Sequence, residues 1–321
     1  MTNTKFQVLI TATILAFGAL SVAPAKAEMG PSPIDGIGSY FTLFGGYVNS
    51  DGTATPGHGV NPVPQPTLLF EVENGGFAGI SGGYVFADLG PFGLSNFRIE
   101  TGFTGYFFED DKGSLASGSL INLGGNAGSI NQSVASQQTR EVYDWSMSIK
   151  GDKRFDAGLN SAFGLEFFLR QSEDETTAAH TSGLFPGRFR KHDVDGLFIG
   201  GMASVQPEFE ITPELSFVAE LGAGIYNVSA DAQSTVNFSA PRVFNDSEDA
   251  VGFRAKAKGG LQFQLNDSLS LSVFGGVDYW SDIPVANQVQ ARGVPNDPLP
   301  TLKFNSLVEL QAGISLTFLL N

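Results

Sequence analysis

The chain has no cysteine, so neither a disulfide framework nor a thiolate metal site is open to it. Histidine is nearly missing: His58, His180 and His192 are the whole supply, too isolated for a histidine metal cage. Charged residues make up only 16% of the sequence, and the 18 basic side chains are outnumbered by 33 acidic ones. That balance argues against a nucleic acid partner. Beyond residue 27 no run of 18 consecutive apolar residues occurs, which excludes a helical membrane protein. On these grounds the residues point to no metal site or cofactor, and an enzyme is not the leading expectation.

What is present begins with residues 1–27. Lys5 is followed by an apolar run from Val8 to Leu20, then Pro24 and the small-x-small triplet Ala25-Lys26-Ala27. The run is too short for a permanent membrane helix and has the layout of a secretory signal peptide cleaved before Glu28. Its removal takes away Lys5 and Lys26 and shifts the formal net charge from -15 to -17. Residues 28–36 then form a short N-terminal segment ahead of the main body, 37–321.

The main body alternates. At the C-terminus, Val308, Leu310, Ala312, Ile314, Leu316, Phe318 and Leu320 are apolar, interleaved with Glu309, Gln311, Gly313, Ser315 and Thr317. Residues 250–265 and 269–278 repeat the period of two, and further strands are predicted near 215–228, 192–210, 161–171, 141–155, 96–108, 76–87 and 37–48. Such runs exceed the ~5–6 residues of an ordinary strand and suit a tilted membrane crossing. The intervening segments sort into short turns (88–95, 156–160, 211–214, 266–268) and long polar stretches (49–75, 109–140, 172–192, 229–250, 281–303). A soluble β-sandwich also alternates, but it does not require short and long connections to alternate strictly. The prediction is all-β: a closed antiparallel up-and-down transmembrane barrel of about ten strands. Its short turns would face the periplasm and its long loops the exterior.

Gly313-Ile314-Ser315-Leu316-Thr317-Phe318 resembles the closing-strand signal of bacterial outer-membrane β-barrel proteins, with Gly313 and Phe318 as its marked positions. In that class the signal ends on the aromatic residue, whereas here Leu319, Leu320 and Asn321 follow. The resemblance implies an outer-membrane location in a Gram-negative cell envelope. It also implies lipid and lipopolysaccharide as surroundings, and the barrel-assembly machinery as a partner during biogenesis.

The same period sorts the charges. Arg98, Glu100, Asp144, Lys150, Asp152, Arg154, Glu166, Arg170, Glu220, Arg254, Lys256, Lys258, Asp278 and Glu309 share the inward phase. A lipid-facing Arg or Lys at mid-membrane would cost ~2–4 kcal/mol. Two arrangements follow: opposite charges pairing across a filled lumen, or a basic ladder of Arg254, Lys256 and Lys258 facing Glu220 and Glu309 along a narrow channel. Tyr40, Tyr47, Tyr106, Tyr143, Trp145, Tyr226, Tyr279 and Trp280 are expected at the membrane rims. A structural or narrow porin-like barrel for small solutes is the leading functional expectation. The next is an adhesion or binding barrel using long loops, such as the basic-aromatic run Arg188-Phe189-Arg190-Lys191-His192. An omptin-like protease, built on Asp110, Asp111, His192 and Asp193, is a third.

Overall fold

The computed structural model describes residues 38–51, 54–55, 70–71, 74–87, 96–112, 134–154, 159–180, 189–237, 241–289 and 299–320. The signal peptide and the segment 28–36 lie outside the described residues. So does His58.

Ten long strands close into one antiparallel barrel: β1 (Gly38–Asp51), β4 (Asn74–Ala87), β5 (Asn96–Lys112), β6 (Val134–Arg154), β7 (Leu159–His180), β8 (Phe189–Thr212), β9 (Leu215–Asn237), β10 (Pro241–Asn266), β11 (Leu269–Val289) and β12 (Leu299–Leu320). A separate two-stranded piece, β2 (Ala54–Thr55) with β3 (Phe70–Glu71), lies in the connection between β1 and β4. Each long strand pairs with its neighbour along the chain, and the ring shuts where β1 meets β12 and β4.

The period of two has its physical counterpart in exposure. Leu165, Ile225, Val251, Ile314 and Leu316 stand on the outer wall, where only hydrocarbon makes an uncovered apolar surface stable. Their alternates, including Arg170, Glu309, Ser315 and Thr317, are buried inside. At one end the reversals are tight. Asn266 Oδ1 accepts from the Ser268 amide at 2.9 Å, closing the β10–β11 turn, and Thr212 Oγ1 accepts from the Glu214 amide at 3.3 Å in the β8–β9 turn. Both are side chains that replace backbone partners in turns.

At the other end the strands differ from the sequence expectation. Strand continues into the polar stretches 109–140, 172–192, 229–250 and 281–303, at residues 109–112, 134–140, 172–180, 189–192, 229–237, 241–250, 281–289 and 299–303. The 26-residue β10 is more than twice the ~9–11 residues that a tilted crossing needs. Above the apolar band the outer face has no hydrocarbon to satisfy, so the apolar half of the pattern vanishes while the backbone ladder continues.

Candidate functional site: the filled lumen

Toward the turn end, Glu100 is the hub. Lys150 Nζ lies 2.5 Å away, Arg98 3.4 Å away, and Tyr40 Oη and Ser148 Oγ donate to it at 2.5 and 3.1 Å. Arg98 also reaches Asp152 at 3.4 Å and donates to Gln206 at 3.1 Å. These strands hold the groups because Arg98 sits opposite Lys150, and Glu100 opposite Ser148, in the β5–β6 register.

A second tier sits further up. Lys256 bridges Glu166 at 2.8 Å and Glu220 at 2.9 Å. Arg254 binds Asp278 through Nη2 at 2.6 Å and comes within 3.9 Å of Glu166. Lys258 stands opposite Glu220 in the β9–β10 ladder, without an ion pair within 4 Å among the described residues.

The third tier spans the lumen from β7 to β12. Arg170 donates to both oxygens of Glu309, at 2.5 and 3.2 Å, and lies 3.7 Å from Asp144. The guanidinium groups of Arg170 and Arg254 sit 4.3 and 4.2 Å from the centre of the Trp280 ring. Phe168, Phe198 and Tyr226 pack around the same indole, with ring centres 5.3–5.8 Å from it. Arg170, Trp280 and Glu309 have no exposed surface. Desolvated cation–π contacts of this kind contribute ~2 kcal/mol each. An Arg–carboxylate pair held by two hydrogen bonds also has a fixed geometry that a single contact lacks.

Above that tier, Arg140 lies 3.6 Å from Asp174 and over the Phe108 ring. Val194, Ala230, Ala232 and Leu302 form a small apolar cluster there, and His192 Nδ1 meets Ser234 Oγ in a buried hydrogen bond. Below it, a cavity of about 120 Å³ remains, lined by Phe44, Phe77 and Phe274 and by a balanced set of charges, Glu100, Asp144, Glu166 and Glu220 with Lys150, Arg254, Lys256 and Lys258.

Several expectations are corrected. Tyr40, Tyr106, Tyr226 and Trp280 are buried inside the barrel, not at a membrane rim; Tyr106, Tyr226 and Trp280 share the phase of the inward charges on their own strands, and Tyr40 shares that of the buried Thr42. Tyr47, by contrast, is half exposed. Glu309 does not face the basic ladder, because Arg170 takes it. His192 and Asp193 are adjacent in one strand and face opposite sides: His192 meets Ser234 inside, and Asp193 meets Lys191 at 3.0 Å. The side chains of Asp110, Asp111 and Arg154 lie outside the described ones, as does that of Arg190. Sequence reasoning passed over Arg140, Asp174, Glu208 and His192 as lumen groups, although all four are interior. Glu208 follows the inward phase of β8 and was there to be found; the others fell in stretches taken for loops.

No family model matches the chain, and no curated protein matches it. Solved structures do. The outer-membrane protease OmpT of Escherichia coli is similar at 9% identity over 88% of this chain and 96% of that one, with a TM-score of 0.49. A deletion mutant of the monoaromatic hydrocarbon channel TodX, a toluene transporter of Pseudomonas putida, matches at 11% identity over 94% of both chains, TM-score 0.39. The translocator domain of the autotransporter NalP from Neisseria meningitidis matches at 10% over 99% and 96%, TM-score 0.37. The structures it is similar to are bacterial outer-membrane β-barrels. Identity this low transfers neither activity nor substrate.

Proposed function

We propose that the protein is an exported outer-membrane barrel that serves as a structural, narrow porin-like element and rests closed. The observation that carries this reading is the tier of Arg170, Trp280 and Glu309, fully buried and joined across the lumen from β7 to β12. Ten strands already fall near the size at which side chains fill a barrel, and here guanidinium–carboxylate pairs and aromatic rings do the filling. Lipid and lipopolysaccharide are its surroundings in this reading, and the closing strand with Gly313 and Phe318 is the segment offered to the assembly machinery.

Planar-bilayer recording on the refolded protein tests it. The native barrel is expected to show no sustained conductance, and Trp280→Ala combined with Phe168→Ala is expected to give discrete steps. A large, steady native conductance would overturn the closed-lumen reading.

A second reading, surface binding, draws on the outer wall beyond the apolar band. Glu141, Glu173, Asp195 and Asp231 stand directly opposite one another across β6, β7, β8 and β9. Like charges in cross-strand positions destabilise a sheet, so this acidic row suits a face turned toward cationic surroundings. Vesicles with and without lipopolysaccharide, at fixed calcium, distinguish it: equal stability in both removes this reading.

A further inference from the structure

Arg170 has two carboxylates near it, and they belong to different walls. Glu309 lies on β12, five strands from β7 in either direction around the ring of ten, so the bond to it crosses the lumen. Asp144 lies on β6, directly opposite Arg170 in the β6–β7 ladder, so a bond to it would run along the wall. The first bond is made through both carboxylate oxygens, at 2.5 and 3.2 Å. The second is unmade. Arg170 Nε and Asp144 Oδ1 stand 3.7 Å apart, beyond hydrogen-bond reach, and each is buried without a hydrogen-bond partner among the described residues. Buried polar atoms in native proteins are nearly all hydrogen-bonded, so a donor and an acceptor that face each other unbonded mark an alternative pairing.

The position of the guanidinium makes the choice of partner matter. Its centre lies 4.3 Å from the middle of the Trp280 ring and 5.8 Å from that of Tyr106. Trp280 belongs to one apolar cluster, with Phe168 and Phe198, and Tyr106 to a second, with Phe77 and Val142. Arg170 is the wedge between the two. Turned onto Asp144, the side chain would lie against β6 and leave the space between the clusters, above a cavity whose lining includes both Asp144 and Tyr106.

The released Glu309 would not be stranded either. It stands opposite Asp278 in the β11–β12 ladder, and Arg254 already holds Asp278 at 2.6 Å. One pair across the lumen is therefore exchangeable for pairs along the two walls, with the same charges. Closely packed interiors move between discrete arrangements and do not deform continuously, which suits such an exchange to switching.

We propose that Arg170 is a two-position gate: bonded to Glu309 it holds the lumen shut, and bonded to Asp144 it opens a narrow path between the two apolar clusters. The inference rests on the closed, narrow-channel reading and deepens it, by naming the side chain that opens the barrel and the carboxylate that receives it.

Neutralising the two carboxylates one at a time tests it, because a gate requires opposite effects from them. In planar bilayers bathed in potassium chloride, Glu309→Gln removes the closed-state partner and is expected to raise the open probability at least tenfold over the native barrel. Adding Asp144→Asn to that variant removes the open-state partner and is expected to reverse the gain. Loose packing alone would make the double variant open more, not less. Heat-modifiable gel mobility checks that each variant folds. Should Glu309→Gln not insert, Glu309→Asp, one methylene shorter, takes its place with the same expectation. Trp280 gives a second reading that needs no conductance. In a Trp145→Phe chain it is the sole tryptophan; Glu309→Gln is expected to shift its emission to the red as water reaches the indole, and Asp144→Asn to restore it. A Glu309→Gln barrel with native silence and native emission overturns the gate, as does a double variant more open than the single one. Either result leaves the closed-lumen reading in place, which falls only to a large, steady native conductance.

Discussion

The wall from β6 to β10 and the wall at β1–β4 differ in strand length and in internal bracing. The first has strands of 21–26 residues joined by continuous ladders, and its interior is braced by Arg170, Arg254 and their carboxylates. The second has two 14-residue strands, with Tyr40 and Phe44 lying against Gly83 and Gly79 inside. Long ladders braced by buried ion pairs have many contacts to lose before they open, whereas short strands have fewer. One barrel thus has a strong side and a lighter one.

The largest effect is expected from breaking the strong side at its core. Glu309→Ala leaves the fully buried Arg170 without its bidentate partner, and removing one member of a buried pair costs ~3–5 kcal/mol. Urea unfolding in detergent or lipid, followed by gel shift, measures it. A loss below 1 kcal/mol would mean that Asp144 takes over the charge, which its 3.7 Å approach to Arg170 leaves room for only after rearrangement.

Next comes the β1–β4 contact. Gly79→Val places a branched side chain where the Phe44 ring lies, and overpacking of this kind costs ~1–3 kcal/mol. Besides the stability loss, hydrogen exchange in β1 and β4 is expected to rise while β8 and β9 stay protected. Exchange rising equally in all four strands would show that the two walls are not independent. In the native protein itself, amides of β1 facing β4 are expected to exchange faster than those of β9, the same comparison without a mutation.

The smallest effect belongs to the acidic outer row beyond the membrane band. Burial, then Asp195 and Glu141, push the Glu173 carboxyl above its ordinary range. A carboxyl raised in the folded state favours folding while it is protonated and loses that advantage as pH rises through the carboxylate range. Mild acidification from pH 7 toward 5 is therefore expected to stabilise the β6–β9 extension by a few tenths of a kcal/mol, and Glu173→Gln is expected to abolish that pH response. Equal responses in both proteins would place its origin elsewhere.

How much of this was legible in the sequence depended on which solvent each residue faces. Where hydrocarbon lies outside and polar groups lie inside, as in residues 307–320, alternation is unmistakable and the strands follow from it. Above the membrane both faces are wet or packed, so β7 beyond Gln171 and β10 before Ala250 carried no such signal, and their ladders looked like loops. The interior position of Trp280 was present in the phase of its strand, two residues from Asp278. A general preference of aromatic residues for membrane rims was allowed to outweigh it. The pairing of Arg170 with Glu309, from strands on different parts of the ring, depends on barrel curvature and has no local trace. The contacts of Phe44 with Gly79 and Tyr40 with Gly83 left none either, since glycine at these positions only blurs the strand.

The chain's two tryptophans divide between the two sides of the wall. Trp145 shares its strand phase with the exposed Met147 and packs edge-on against Phe167, while Trp280 is sealed inside under two guanidinium groups. Brominated acyl chains would therefore dim one indole and spare the other, and the barrel carries its own pair of optical reporters. Without any attached dye, one would register the bilayer and the other the state of the bore.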